Sequence, residues 1–216
     1  MTASRPGEIL GTLLYVTPEE FPLKDLALRA IEGMRGGITS VQVRRKQAYG
    51  WEFSELVRIF RDNVPSGFPW LVNQRMDFAL AGRATGLHLP EAHPPISRIR
   101  LKMGERASRP FLVGVSVHSL ESALAAVREG ADYLIAGPVF ETSSKVSFGP
   151  PLGLERLGEI VREVPVPVWG IGGIGVFEAP RVRNAGAFGM AVMGALSYTP
   201  DPVAAAFALR KAWNRG

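Results

Sequence analysis

Three observations predict a single (β/α)8 TIM barrel of the α/β class. They are eight apolar runs of strand length, helix-period segments between them, and a 216-residue chain that leaves each repeat only short loops. The runs are Leu13 to Val16, Ser40 to Val43, Trp70 to Val72, Gly86 to Leu89, Phe111 to Val115, Tyr133 to Ala136, Pro167 to Trp169 and Met190 to Met193. Between them, Phe53, Leu56, Val57 and Phe60 recur at i, i+3, i+4 and i+7, as do Leu120, Ala123, Leu124 and Val127. Glycines at Gly36-Gly37, Gly82, Gly130 and Gly186 fall where left-handed caps would end helices. A doubly wound open sheet is the runner-up. Its dinucleotide-binding form needs a Gly-x-Gly-x-x-Gly turn after the first strand, and Tyr15-Val-Thr-Pro-Glu-Glu-Phe-Pro22 contains no glycine. No linker or repeat divides the chain, so residues 1–216 are expected to form one barrel domain.

Composition narrows the function classes. Cysteine is absent, which removes disulfides, thiolate metal sites and thiol nucleophiles together. No apolar run approaches the ~20 residues of a membrane helix, and the first residues lack an apolar signal core, so a cytoplasmic protein without membrane partners is expected. The net charge is +5, and 20 of the 25 basic side chains are arginine, which suits planar, bidentate anions. These residues are scattered without an interleaved aromatic stripe, so a nucleic-acid partner is not expected and small acidic ligands are. Apolar faces of barrel helices would allow a homodimer, with no face singled out.

The βαβ unit from Phe111 to Lys145 ends both of its strands in polar residues, and barrel chemistry sits where strands run out. Ser116, His118, Glu141 and Lys145 emerge there. His118 is one of three histidines and precedes a helix that Ser119 is placed to cap; a helix N-terminus disfavours imidazolium, which would help keep the ring neutral and able to accept a proton. It could instead make only a loop hydrogen bond. Glu141 could orient a histidine, relay a proton, or pair with Lys145. His88 is expected to pack at the end of strand four, and His93 lies in a proline-rich loop. Asn73 follows strand three as a polar candidate, whereas Asp77 suits the first turn of the next helix.

Two further groups suggest anion binding. Period-two alternation in Val41-Gln-Val-Arg-Arg-Lys46 sends Gln42, Arg44 and Lys46 to one face, a wall suited to carboxylate, phosphate or pyrophosphate; Arg45 faces the other way. Gly172 and Gly173 follow strand seven, and Met193 and Gly194 follow strand eight, where barrels often build phosphate sites from backbone N–H groups. The plainer alternative is a glycine turn that needs positive φ.

Read in order, these residues resemble the superfamily of thiamine phosphate synthases and TenI-type thiazole tautomerases, from the first strand to the last helix. The landmarks are Gln42-Val-Arg-Arg-Lys46, Val72-Asn-Gln-Arg-Met-Asp77, Gly114-Val-Ser-Val-His-Ser-Leu-Glu121, Gly137-Pro-Val-Phe140, Ile171-Gly-Gly-Ile174 and Gly186-Ala-Phe-Gly-Met-Ala-Val192. The resemblance implies a (β/α)8 barrel with a thiazole phosphate site, and it implies ligand contacts from Ser116, Thr142, Ser144 and Lys145. Synthases of this superfamily use magnesium, held by carboxylates after strands three and four. Here those positions read Gln74 and His93, which should weaken such a site severely; Glu91 is an offset substitute.

Val139 to Thr142 and Ser116 to Glu121 are similar to the tautomerase branch, while Gln42, Lys46, Gly137-Pro138 and Pro151 to Glu155 are similar to the synthases. The resulting expectation is a cofactor-free thiazole tautomerase. His118, with Glu141 as partner, would move a proton on a carboxythiazole phosphate. The alternative is a magnesium-dependent thiamine phosphate synthase that joins hydroxymethylpyrimidine diphosphate to thiazole phosphate. A third reading is a non-catalytic thiazole or thiamine phosphate-binding regulator.

Overall fold

A computed structural model describes residues 5–45, 50–103, 111–142 and 150–215. The chain runs α1 (Pro6–Leu10), β1 (Leu13–Val16), α2 (Leu23–Gly36), β2 (Ser40–Val43), α3 (Gly50–Asn63), β3 (Trp70–Asn73), α4 (Met76–Ala81), β4 (Gly86–Leu89) and α5 (Ile96–Met103). It continues with β5 (Leu112–Val117), α6 (Leu120–Arg128), β6 (Tyr133–Ala136), α7 (Gly153–Glu163), β7 (Val168–Ile171), α8 (Ala179–Asn184), β8 (Gly189–Val192), α9 (Gly194–Ser197) and α10 (Pro202–Arg215). The strands are parallel and close in sequence order, with β8 pairing back onto β1. This is the predicted (β/α)8 barrel.

Strand alternation builds two cores. Residues such as Leu13, Tyr15, Val41, Val43, Leu87 and Val113 turn outward and pack against the helices, whose buried stripes include Phe53, Leu56, Val57 and Phe60 of α3. The other face fills the barrel with Leu14, Val16, Leu71, Leu112, Tyr133, Ile135, Trp169 and Ala191, and Leu10 of α1 joins this cluster. Space inside is shared by size alternation. A Cβ on Gly114 of β5 would lie 2.0 Å from the Tyr133 ring of β6, and one on Gly189 of β8 would lie 2.3 Å from Trp169 Nε1 of β7. The small residues are what admit the two large aromatics.

Four predicted strands recur with the same bounds and the other four with shifts of one or two residues, the largest in β5 and β7, which extend to Val117 and Ile171. Gly82 differs from the left-handed cap expected of it. Its φ is −80°, and Arg83 takes φ +55° instead. Gly82 is required for space, because a Cβ there would meet Val57 at 2.5 Å and Trp70 at 2.6 Å.

Candidate active site

Four strands end in polar side chains that point into the barrel. Gln42, Asn73 and His88 are 3%, 9% and 2% exposed, and Ser116 is half-buried. Burying such groups costs free energy unless each finds a partner, and these find one another. Asn73 Nδ2 donates to Gln42 Oε1 and to the His88 carbonyl, both at 3.4 Å. His88 Nε2 lies 2.9 Å from Ser116 Oγ, and its Nδ1 lies 3.2 Å from the Tyr133 hydroxyl. Burial pushes the Tyr133 hydroxyl well above its ordinary pKa, so it remains a neutral donor or acceptor.

This polar layer forms the floor of a cavity of about 940 Å³. Gln42, Arg44, Asn73, Ser116, His118 and Thr142 line it on one part of the wall, and Gly172, Gly173, Met193 and Gly194 on another. The structure therefore gathers ten of the residues singled out from sequence. Glu141 is exposed and does not line the cavity. Lys46, Ser144 and Lys145 lie outside the described residues.

Each wall has a local cause. Thr17, fully buried, clamps the Arg44 main chain: the Arg44 N–H donates to Thr17 Oγ1 at 2.9 Å, and Thr17 Oγ1 donates to the Arg44 carbonyl at 3.2 Å. Arg44 Nη1 then meets Glu19 Oε1 at 3.2 Å. Arg45 points away, as alternation predicts, and donates to the Phe21 carbonyl at 2.6 Å, tying down the loop after β1. On the glycine side, Gly172 and Gly173 have φ +98° and +66°. A Cβ at Gly172 would sit 2.6 Å from Pro138, and one at Gly173 would sit 2.6 Å from the Glu141 carbonyl. Both glycines are thus demanded by backbone sterics. The same turn is pinned to the loop after β6 by hydrogen bonds from Val139 N–H to the Ile171 carbonyl (2.7 Å) and Phe140 N–H to the Gly172 carbonyl (3.1 Å). At the next strand end, Gly194 and Ala195 open α9 ahead of its first donors, the Leu196 and Ser197 N–H groups that reach the Met193 carbonyl, so their own N–H groups have no acceptor within the helix.

His118 stands at the start of α6, where Ser119 accepts from the Ser122 N–H at 3.1 Å as the cap. Its Nδ1 is hydrogen-bonded to the Gly137 carbonyl. A carbonyl only accepts, so Nδ1 carries the proton and, in the neutral ring, Nε2 is the basic nitrogen. Its backbone N–H reaches Ser122 Oγ at 3.2 Å and Glu91 Oε1 at 3.3 Å.

The sequence predicts that His88 packs at the end of strand four; it is buried there, and it also forms part of the cavity floor, which the sequence reading does not anticipate. The signal was present: Leu87 and Leu89 are apolar, so period-two alternation sends His88 inward with Gly86. Glu91, the offset substitute ligand, lines the cavity, and so do Glu19, Glu20, Glu178 and Tyr198, which the sequence does not single out. They stand on loops and short turns, where no periodicity marks direction.

The donors do not fit the magnesium site that the superfamily resemblance implies. Gln74 lines the cavity but offers a neutral amide. His93 is not among the lining residues; its Nδ1 lies 2.9 Å from the Pro94 carbonyl and 4.0 Å from Glu129 Oε2. After strands three and four Glu91 is the one cavity-lining carboxylate among the described residues, and it already accepts from the His118 backbone N–H. Among the described residues no group of three or more His, Asp or Glu side chains could hold a metal ion.

Comparisons place this geometry in a family. A thiamine-phosphate synthase of Desulfitobacterium hafniense (strain Y51) is 39% identical over 192 residues, covering 88% of this chain and 91% of the relative. A thiamine-phosphate synthase of Chloroflexus aurantiacus is 42% identical over 207 residues, covering 94% of each. The solved structure of thiamine phosphate pyrophosphorylase from Pyrococcus furiosus superposes with a TM-score of 0.81 at 34% identity, covering 96% of both chains. These relatives overturn the tautomerase expectation in favour of its alternative. The cavity lining does not separate the branches by itself: Glu141 and His93, two signals for the tautomerase, lie outside it, but the tautomerase-like Ser116, His118 and Thr142 line it beside the synthase-like Gln42. The family model described as thiamine monophosphate synthase matches residues 13–196, and the chain belongs to this family, TMP-TENI.

Proposed function

We propose that the chain is a thiamine-phosphate synthase, a transferase that joins hydroxymethylpyrimidine diphosphate to a thiazole phosphate and releases pyrophosphate. The observation that carries this reading is the 34–42% identity over most of the chain to proteins named thiamine-phosphate synthase or thiamine phosphate pyrophosphorylase. The cavity supports it by offering two separate anion-suited walls. Arg44 faces the diphosphate, where its fork of donors meets the charge that grows on the leaving oxygen. Backbone N–H groups around Gly172, Gly173 and Gly194 hold the thiazole phosphate.

Between these walls the reaction is a substitution. The thiazole ring nitrogen forms a bond to the exocyclic carbon of the pyrimidine, the carbon–oxygen bond to the diphosphate breaks, and its electron pair leaves with pyrophosphate. Ser116, held by His88, and Asn73, held by Gln42, orient the rings from the floor. Val16, Ile135 and Ile171 give the cavity apolar walls that limit water.

The test is condensation by the purified protein, with both precursors supplied, in magnesium and in EDTA. Thiamine phosphate and pyrophosphate in equal amounts are expected in at least one buffer. Absence of both products in each would overturn the reading.

A further inference from the structure

Among the described residues, four carboxylates face the cavity: Glu19, Glu20, Glu91 and Glu178. Three are held by groups that have no assigned part in holding a ligand anion. Glu20 accepts from the Tyr198 hydroxyl, Glu91 from the His118 backbone N–H at 3.3 Å, and Glu178 from the Gly175 N–H at 3.1 Å. Glu19 differs, because it pairs with Arg44, at 3.2 Å.

Arg44 does not need Glu19 to hold its backbone. Thr17 fixes the main chain on both its N–H and carbonyl sides, and the Thr17 N–H is itself anchored to the Gln42 carbonyl at 3.0 Å. What Glu19 occupies is the guanidinium. The two side chains are 25% and 29% exposed, so the displaced carboxylate has water to turn to, and a partly solvated ion pair of this kind is weak enough to exchange.

We propose that Glu19 is a resident competitor for Arg44: a ligand oxyanion reaches the guanidinium by displacing the Glu19 carboxylate, so the site selects anions of higher charge than a carboxylate. A diphosphate meets that condition best. An incoming carboxylate only replaces like with like, and a monophosphate gains less than a diphosphate does. Glu19 is then a specificity residue acting through Arg44. The inference rests on the reading of Arg44 as the ligand of the diphosphate.

The experiment is calorimetric titration with inorganic pyrophosphate, without metal, of the wild-type protein, Glu19→Gln, Arg44→Met and the double variant. Glu19→Gln is expected to bind pyrophosphate roughly 5-fold tighter, with a smaller gain for inorganic phosphate, and the gain should vanish when Arg44 is Met. It should also shrink as salt is raised. Equal or weaker binding by Glu19→Gln would overturn the proposal, as would an undiminished gain in the Arg44→Met background or no measurable binding by either Arg44-containing form. Should Arg44→Met fail to fold, Glu19→Gln in the condensation assay decides. KM for the diphosphate substrate should fall while KM for the thiazole phosphate stays constant, and an unchanged diphosphate KM would refute the competitor. A protein that binds pyrophosphate with the expected pattern yet makes no thiamine phosphate would refute the synthase reading and leave the competitor standing.

Discussion

Glu20 shows how single residues set the rim of the cavity. It accepts a hydrogen bond from the Tyr198 hydroxyl, which joins the loop after β1 to the residue after α9. That bond holds the Glu20 carboxyl below the usual carboxylate range and raises the Tyr198 hydroxyl above its own. For a carboxyl whose folded pKa is depressed, the tie is fully present above the unfolded value of about 4.3 and is lost as pH falls through the folded value. Tyr198→Phe should return Glu20 to the ordinary range in an NMR titration; an unmoved Glu20 would show that the hydroxyl is not the cause. Neither residue was legible in the sequence, because a contact across 178 positions between two irregular segments leaves no local pattern. Gln42 and Arg44 were legible for the opposite reason. They end a strand, where alternation fixes which way a side chain points.

At the scale of elements, the barrel interior is a matching of large with small. Gly114 on β5 faces Tyr133 on β6 in the strand register, and an added methyl would stand 2.0 Å from the ring. The ring is fully buried, lies edge-on to Trp169 at 5.6 Å between centroids and is hydrogen-bonded to His88, so it has little freedom to yield. Gly114→Ala is expected to cost about 1–3 kcal/mol in denaturant unfolding, as overpacking of a filled core does. Most of that cost should disappear in a Tyr133→Leu background, and a full cost there would mean that the clash lies elsewhere. The eight strands were legible from apolar runs, and α3 from its 3.6-residue stripe. Gly82 was not, since a glycine placed for a left-handed cap and one placed for close packing look alike in sequence. The φ of −80° and the nearness of Val57 and Trp70 to where a Cβ would stand separate the two cases.

For the whole molecule, burial of hydroxyls sets an alkaline limit. Tyr15 packs between the barrel and the helix layer, with Ser197 Oγ at 3.1 Å, and burial pushes its pKa up to about 12; Tyr133 shifts in the same direction. The folded state therefore holds these protons after the unfolded chain has released them. Stability is retained below the unfolded tyrosine value of about 10 and declines as pH rises toward 12. Tyr15→Phe should flatten part of that decline in unfolding curves recorded across the interval, and an identical slope would exclude Tyr15 as a contributor. The family was legible because its landmarks lie on strand ends spread along the chain. The branch was not, because signals of both kinds share one cavity wall: Ser116, His118 and Thr142 resemble the tautomerases and Gln42 the synthases.

Ring closure has one more consequence. Because β8 pairs with β1, the sheet has no edge strand and no row of unsatisfied backbone donors along its flank. Copies of this chain therefore cannot recruit one another by adding a strand to this sheet. Association over the barrel is written in side chains on the outer helices and loops, which selection can alter one residue at a time without touching the hydrogen-bonded wall that carries the active site.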